Sequence, residues 1–339
     1  MTNRNSSRHS LNSARYTGGR QAFDRWTDDV RHGTGPVLYR HTLSHPEIGP
    51  GLVTLIGGAP GGGKTAFVTQ IAIDALRFST DLRLLVANCE MSDEAILNRQ
   101  LARLSGVNAE LIRHRRLGPA HAERIDTGLA TLDTVIDRIG FLQRPFSLTN
   151  VALAADDMGA QVVILDYLQR FTLDDEDSEP RERIGRMMDA LRRLASRGLA
   201  VIVVSAIGRT RDSAGRSSYS GDGLSLASFR ETSELEYGAD DAFILSPIDK
   251  QDQNRVRLQH LKSRHGEQVT QDLFFNRGVQ SFQLLDGHRP RSAADCGIGT
   301  RRDGFDEDLR RAWDDIPTDA PDDDGSEGPG AGPSEEPRS

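Results

Sequence analysis

One run of eight residues, Gly58-Ala59-Pro60-Gly61-Gly62-Gly63-Lys64-Thr65, constrains this chain more than any other. It fits G-x-x-x-x-G-K-[ST]. It also lies between an apolar run, LVTLIGG (52–58), and a stretch from Ala66 to Phe78 with Val68, Ile71, Ala75 and Leu76 at helical spacing. Strand, glycine-rich loop and helix in that order make a phosphate cradle. The glycines let backbone N–H groups turn inward, and the helix start adds partial positive charge. Lys64 supplies a point charge to the phosphates, Thr65 a hydroxyl ligand for Mg²⁺, and Ala66 completes the loop. The loop therefore predicts binding of a nucleoside triphosphate, ATP, with Mg²⁺.

The rest of the chain supplies the layers such a loop needs. Strand-like runs at LRLLVANCE (82–90), QVVILDYLQ (161–169) and AVIVVSAI (200–207) alternate with helical stretches at 95–104 and 182–198, the latter ended by Gly198. Short strands DAFILSP, RVRLQHLKS, QDLFFN and QSFQLL follow. This alternation predicts an α/β fold, a mostly parallel twisted sheet with helices on both faces. Segment 208–228 is polar, rich in Gly and Ser, and too long for a tight turn. Domain boundaries are expected as a disordered polar arm at 1–20, a short helix and lead-in at 21–49, one nucleotide-binding domain at 50–287, and a disordered acidic tail at 288–339. In the lead-in, Phe23, Trp26 and Val30 share one side of a helix.

Two carboxylates complete the expected chemistry. Asp166 ends the apolar strand VVILD, where it would hold Mg²⁺ through water opposite the loop. Glu90 ends VANCE; that strand is expected to lie beside the phosphate-loop strand, so that its carboxylate faces the γ-phosphate and can act as general base. Cys89 reads as a small buried strand residue.

Charge needs to be divided before it is interpreted. The 339-residue chain carries −8, but 13 acidic and three basic residues from Asp303 onward account for −10, which leaves the remainder near +2. An acidic whole thus leaves a nucleic-acid partner open. The polar start has no apolar run and no stretch of about 18 apolar residues follows, so neither a secretory signal nor membrane contact is expected. Only Cys89 and Cys296 are present, which points to a reducing, cytoplasmic setting.

Taken in order, CEMSDEAILNRQLARLSGV, VVILDYLQ, FRETSELEYGADD and LKSRHG resemble the motor domain of DnaB-type replicative helicases, over residues 50–285. The more specific pieces are Asp166-Tyr167-Leu168-Gln169 and Arg230-Glu231. The resemblance implies a RecA-like P-loop ATPase that forms rings, expected to be hexameric, and moves on single-stranded DNA in company with replication proteins. It also implies that Lys262 and Arg264, in KSRHG, reach the nucleotide held by a neighbouring subunit. Segment 208–228 falls where the family places its DNA-binding loop, which makes Arg209, Arg211 and Arg216 candidates for phosphate contacts.

Three departures bear on that implication. Ala206 stands where the family usually has Gln, so a side-chain relay from γ-phosphate to DNA is missing there. About 50 residues precede the loop, too few for the family's N-terminal collar domain, which is expected to be absent. The acidic tail has no family counterpart. A related ATPase of RadA or KaiC type, acting in regulation or recombination without unwinding, is the alternative. Against RadA itself stand the missing four-cysteine zinc motif and protease-like domain.

Overall fold

Val53, Leu55, Val163, Leu165, Val201 and Val203 pack into one apolar cluster, and Ile56, Val162, Ile164, Ile202 and Val204 into another. The strands look continuously apolar in sequence because both faces of the sheet are covered, yet each strand still alternates with period two. The structure, a computed structural model, describes residues 16–33, 35–173, 180–208, 210–211, 217–218, 224–229, 238–249 and 251–285. The polar arm up to residue 15 and the acidic tail lie outside the described residues. By contacts the chain divides into two units, 1–38 and 39–339.

The first unit contains helix α1 (Gly19–His32), on which Phe23, Trp26 and Val30 are exposed. The second unit opens its core with β1 (Val53–Gly58), α2 (Lys64–Phe78), β2 (Leu84–Asn88) and α3 (Asp93–Ser105). Then come α4 (Ala109–Arg113), α5 (Ala122–Ile136), β3 (Ile139–Phe141), α6 (Leu148–Met158), β4 (Val162–Asp166), α7 (Pro180–Ala195) and β5 (Ala200–Ala206). A small hairpin, β6 (Thr210–Arg211) with β7 (Ser217–Ser218), precedes β8 (Asp241–Pro247), β9 (Arg255–Ser263), β10 (Gln271–Asn276) and β11 (Ser281–Leu284).

The nine-stranded sheet has the order β11-β10-β9-β8-β1-β5-β4-β2-β3. Strands β8 to β3 in that order run parallel, and β9, β10 and β11 add antiparallel pairs at one side. Residues of α2, α3 and α5 cover one face and residues of α6 and α7 the other. The expected α/β fold with helices on both faces is present.

One expectation fails. The strand carrying VANCE does not lie beside the phosphate-loop strand: β2 pairs with β3 and β4, and β5 and β4 stand between it and β1. Three strand spacings amount to about 14 Å, which a crossover through the 15-residue α2 can span. Glu90 still reaches the correct edge, because the carboxyl ends of all parallel strands point the same way.

Candidate functional site

The phosphate loop leaves β1 at Gly58 and enters α2 at Lys64. Gly58 must be glycine, because a Cβ there would stand 2.7 Å from the Leu245 carbonyl oxygen on β8. Gly63 is left-handed at φ 89°, and its Cβ would meet the Phe275 ring at 2.7 Å. That ring stacks on Phe282 at 4.1 Å, and Phe282 in turn meets Phe67 of α2 edge-on at 5.3 Å. The antiparallel strands β10 and β11 therefore brace the loop with an aromatic stack. Gln70 of α2 locks the brace: its side chain donates to the Phe282 carbonyl and accepts from the Phe282 N–H, both at 2.8 Å.

Lys64 points back into its own loop, its ammonium donating to the Gly58 and Ala59 carbonyl oxygens at 2.9 Å each. Burial holds its pKa below the ordinary lysine value, opposed by Asp166 and Glu90. The next residue, Thr65, donates its hydroxyl to the Asp166 carboxylate at 2.5 Å. Asp166 ends β4 and is almost fully buried. Burial raises its carboxyl above the usual range; the Thr65 hydrogen bond opposes this, Glu90 adds to it, and Lys64 and Arg99 oppose it.

A hydroxyl and a buried carboxylate side by side are the hard oxygen donors that Mg²⁺ takes, leaving its remaining positions to water and phosphate. Thr65 and Asp166 thus fit the ion, and Lys64 with the loop fits the phosphates. Among the described residues no group of three His, Cys, Asp or Glu could hold a metal without such help.

Sequence reasoning missed Asn88. Its amide donates to Asp166 at 2.9 Å, and its carbonyl oxygen accepts from the Glu90 and Met91 N–H groups at 2.9 and 2.8 Å. One side chain ties the Asp166 carboxylate to the turn that carries Glu90. The available signal was an Asn at a strand end two residues before an acid, the pattern of an Asx turn. Glu90 itself is exposed and close enough for its charge to act on Lys64 and Asp166. Cys89 has its pKa pushed up to about 11, by burial first and by Asp166 second, so it stays a protonated, inert thiol. Arg277, in the β10–β11 turn, was also missed; it donates to the Gly61 carbonyl of the loop at 3.1 Å.

The remaining predicted residues lie apart from this edge. Lys262 lies next to the end of β9 and Arg264 directly follows it; β9 runs antiparallel to β8 so that Ser263 pairs with Asp241 at the start of β8. Asp240, beside them, accepts the N–H of Val53 at 2.8 Å, at the opposite end of β1 from Gly58. Five strand steps separate the two ends, about 17 Å. Lys262 donates to the Ala239 carbonyl at 2.8 Å and Arg264 to Asp240 at 2.9 Å.

Arg209 and Arg216 lie outside the described residues, as do Arg230 and Glu231. Arg211 pairs with Ser217 through its backbone, and its side chain is likewise outside the description. Ala206 pairs in register with Gly58. Beside it, the Gln169 side-chain amide donates to the Ser205 hydroxyl at 2.8 Å, and the Ala206 N–H approaches the Gln169 Oε1 at 3.5 Å.

A braced glycine loop with Lys and Thr, facing a buried Asp two strands away on a mostly parallel sheet, defines a RecA-like P-loop domain. The chain belongs to the DnaB-like helicase C terminal domain family, whose sequence model matches residues 48–284. The fold is similar to a solved ATPase domain, with TM-score 0.64 and 19% identity over 80% of this chain and 100% of that one. It is also similar to a DnaB-like replicative helicase described with its interactions with primase, with TM-score 0.66 and 18% identity over 80% of this chain and 68% of the other. At such identities the likeness establishes the fold. No curated protein matches the chain. No helix among the described residues is long and apolar enough to cross a membrane.

Proposed function

We propose that this chain is the motor of a ring-forming, hexameric ATPase that hydrolyses ATP between subunits and moves along single-stranded DNA. One observation carries the reading: Lys262 and Arg264 stand at the opposite end of the sheet from Lys64, Thr65 and Asp166 of the same chain. Two copies related head to tail bring the two ends together, and repetition of that contact closes a ring.

In this scheme Lys64 exchanges its contacts to the Gly58 and Ala59 carbonyls for phosphate oxygens. Thr65 and Asp166 would hold Mg²⁺, which would supply positive charge to offset that of the phosphates. Glu90, set by Asn88, accepts the proton of the attacking water. Lys262 and Arg264 of the next subunit stabilise charge that develops on the transferred phosphoryl group, an effect worth roughly 10³–10⁵ in rate where an arginine finger is used. Arg209, Arg211 and Arg216 contact the phosphates of the strand in the central channel, which makes binding salt-dependent. Primase and other replication proteins are the partners such a motor would meet.

Ala206 supports a second reading, a RadA- or KaiC-like regulatory or recombination ATPase without unwinding. Its backbone pairs in register with Gly58 at the start of the loop, and its methyl group cannot relay a hydrogen bond. Measuring ATP turnover with and without single-stranded DNA, and unwinding of a forked duplex, separates the two. The motor reading expects turnover stimulated by DNA, fork unwinding, and loss of both in Lys64→Ala. Stimulated turnover without unwinding would move the assignment to the second reading, and wild-type turnover in Lys64→Ala would overturn both.

A further inference from the structure

Asp240 sits at the edge of the sheet away from the nucleotide, 2% exposed, and more cations converge on it than one carboxylate needs. Arg192, from the last turns of α7, pairs with one oxygen, which also accepts the Val53 N–H at 2.8 Å. Arg264 donates to the other oxygen at 2.9 Å, and His265 lies 3.7 Å from it. The backbone joins in: the Arg264 N–H donates to the Asp240 carbonyl at 3.0 Å, and the Lys262 ammonium to the Ala239 carbonyl at 2.8 Å. Both cations assigned above to a neighbour's nucleotide are thus held on residues 239 and 240 of their own chain.

A buried carboxylate stripped of its only partner is costly, which normally prevents such a pair from opening. Asp240 escapes that cost. When Arg264 leaves, Arg192 and the Val53 N–H still compensate the charge. The backbone bond at Arg264 keeps the origin of its side chain in place while the guanidinium moves. A triphosphate terminus offers Arg264 more negative charge and a bidentate partner, so it draws the guanidinium off a carboxylate that can spare it. An empty neighbouring site offers nothing, and the guanidinium stays.

We propose that Asp240 is a positioning residue for the intersubunit reaction, retaining Arg264 on its own subunit until a nucleotide-loaded neighbour takes it, with Arg192 as the cation that makes the release possible. The inference rests on the trans role of Arg264 given above.

The test compares steady-state ATP turnover of the full-length chain and its Asp240→Asn and Arg192→Gln variants, each with Arg264 intact and with Arg264→Ala. Assembly is checked by mass and folding by thermal melting. Asp240→Asn weakens the hold and is expected to raise kcat about 3- to 10-fold with little change in KM. Arg192→Gln leaves Asp240 leaning on Arg264 and is expected to lower kcat by a similar factor. Both changes should vanish from the residual rate of Arg264→Ala. A merely structural role moves both variants downward and does so whether or not Arg264 is present; either pattern overturns the proposal. Should Asp240→Asn fail to fold, Arg192→Gln decides alone, since Arg192 lies on a helix surface with its side chain 31% exposed. Wild-type turnover in Arg264→Ala alone would refute the trans role first, and the Asp240 proposal with it.

Discussion

Mixing two inactive variants asks whether the nucleotide site is shared between subunits. Arg264→Ala removes the guanidinium, and Glu90→Gln removes the proposed base but keeps the side chain's shape. Within one chain the two positions cannot cooperate. The start of β1, where Asp240 binds the Val53 N–H, and its end at Gly58 are five strand steps apart, about 17 Å, further than one arginine side chain reaches. In a head-to-tail ring each site combines Glu90 of one subunit with Arg264 of the next. With equal, random mixing, about a quarter of the interfaces pair an intact base with an intact guanidinium, so turnover should recover to roughly a quarter of wild type. Each variant alone should fall by about 10³-fold or more. The assay is steady-state ATP hydrolysis against mixing ratio, with native mass spectrometry confirming that rings exchange subunits. No recovery in rings shown to be mixed would refute the shared site, and with it the reading of β9 as reaching a neighbour.

Two further outcomes follow from individual side chains. Asn88→Ala unties the Glu90 turn from Asp166 while leaving every proposed catalytic group present, and it should lower kcat about 10- to 100-fold with nucleotide affinity nearly unchanged, read by turnover beside equilibrium binding of ATP. His45 has its pKa lowered to about 4, by burial first and then by His260 and His41, against an unfolded value near 6.5. Between those values the unfolded chain binds a proton that the folded one does not, so stability is full above pH 6.5 and falls as pH drops toward 4. The loss should approach about 3 kcal/mol in all and shrink in His45→Gln, as measured by denaturant midpoints across that range.

What could be read from the sequence alone was whatever is encoded locally. The phosphate loop is eight consecutive residues whose chemistry and flanking strand and helix are contiguous, so the loop with Lys64 and Thr65 and the helix after it were legible, the helix starting two residues earlier, at Lys64, than the expected Ala66. Asp166 was legible for the same reason, as the polar end of an apolar strand. The strand order was not. β1, β2, β4 and β5 are apolar on both faces and therefore interchangeable by pattern, and only packing of α2 across the sheet decides that β2 lies three places from β1. The strand β3 and helices α4, α5 and α6 escaped because each is short or buries only a few residues, too few to set a clear period.

The residues that organise the site escaped because each is defined by a partner distant in the chain. Asn88 meets Asp166 across 78 positions, and Gln70 meets Phe282 across 212. Asp240 gathers Val53, Arg192 and Arg264 from three separate elements. Nothing in YGADDAF distinguishes its first aspartate from its second. A sequence specifies directly the groups whose geometry is set by the next few bonds, which here means the loop, its helix and the strand-end acid. Which carboxylate holds which cation, and at which edge of the sheet, is decided only when strands far apart in the chain come within hydrogen-bond reach.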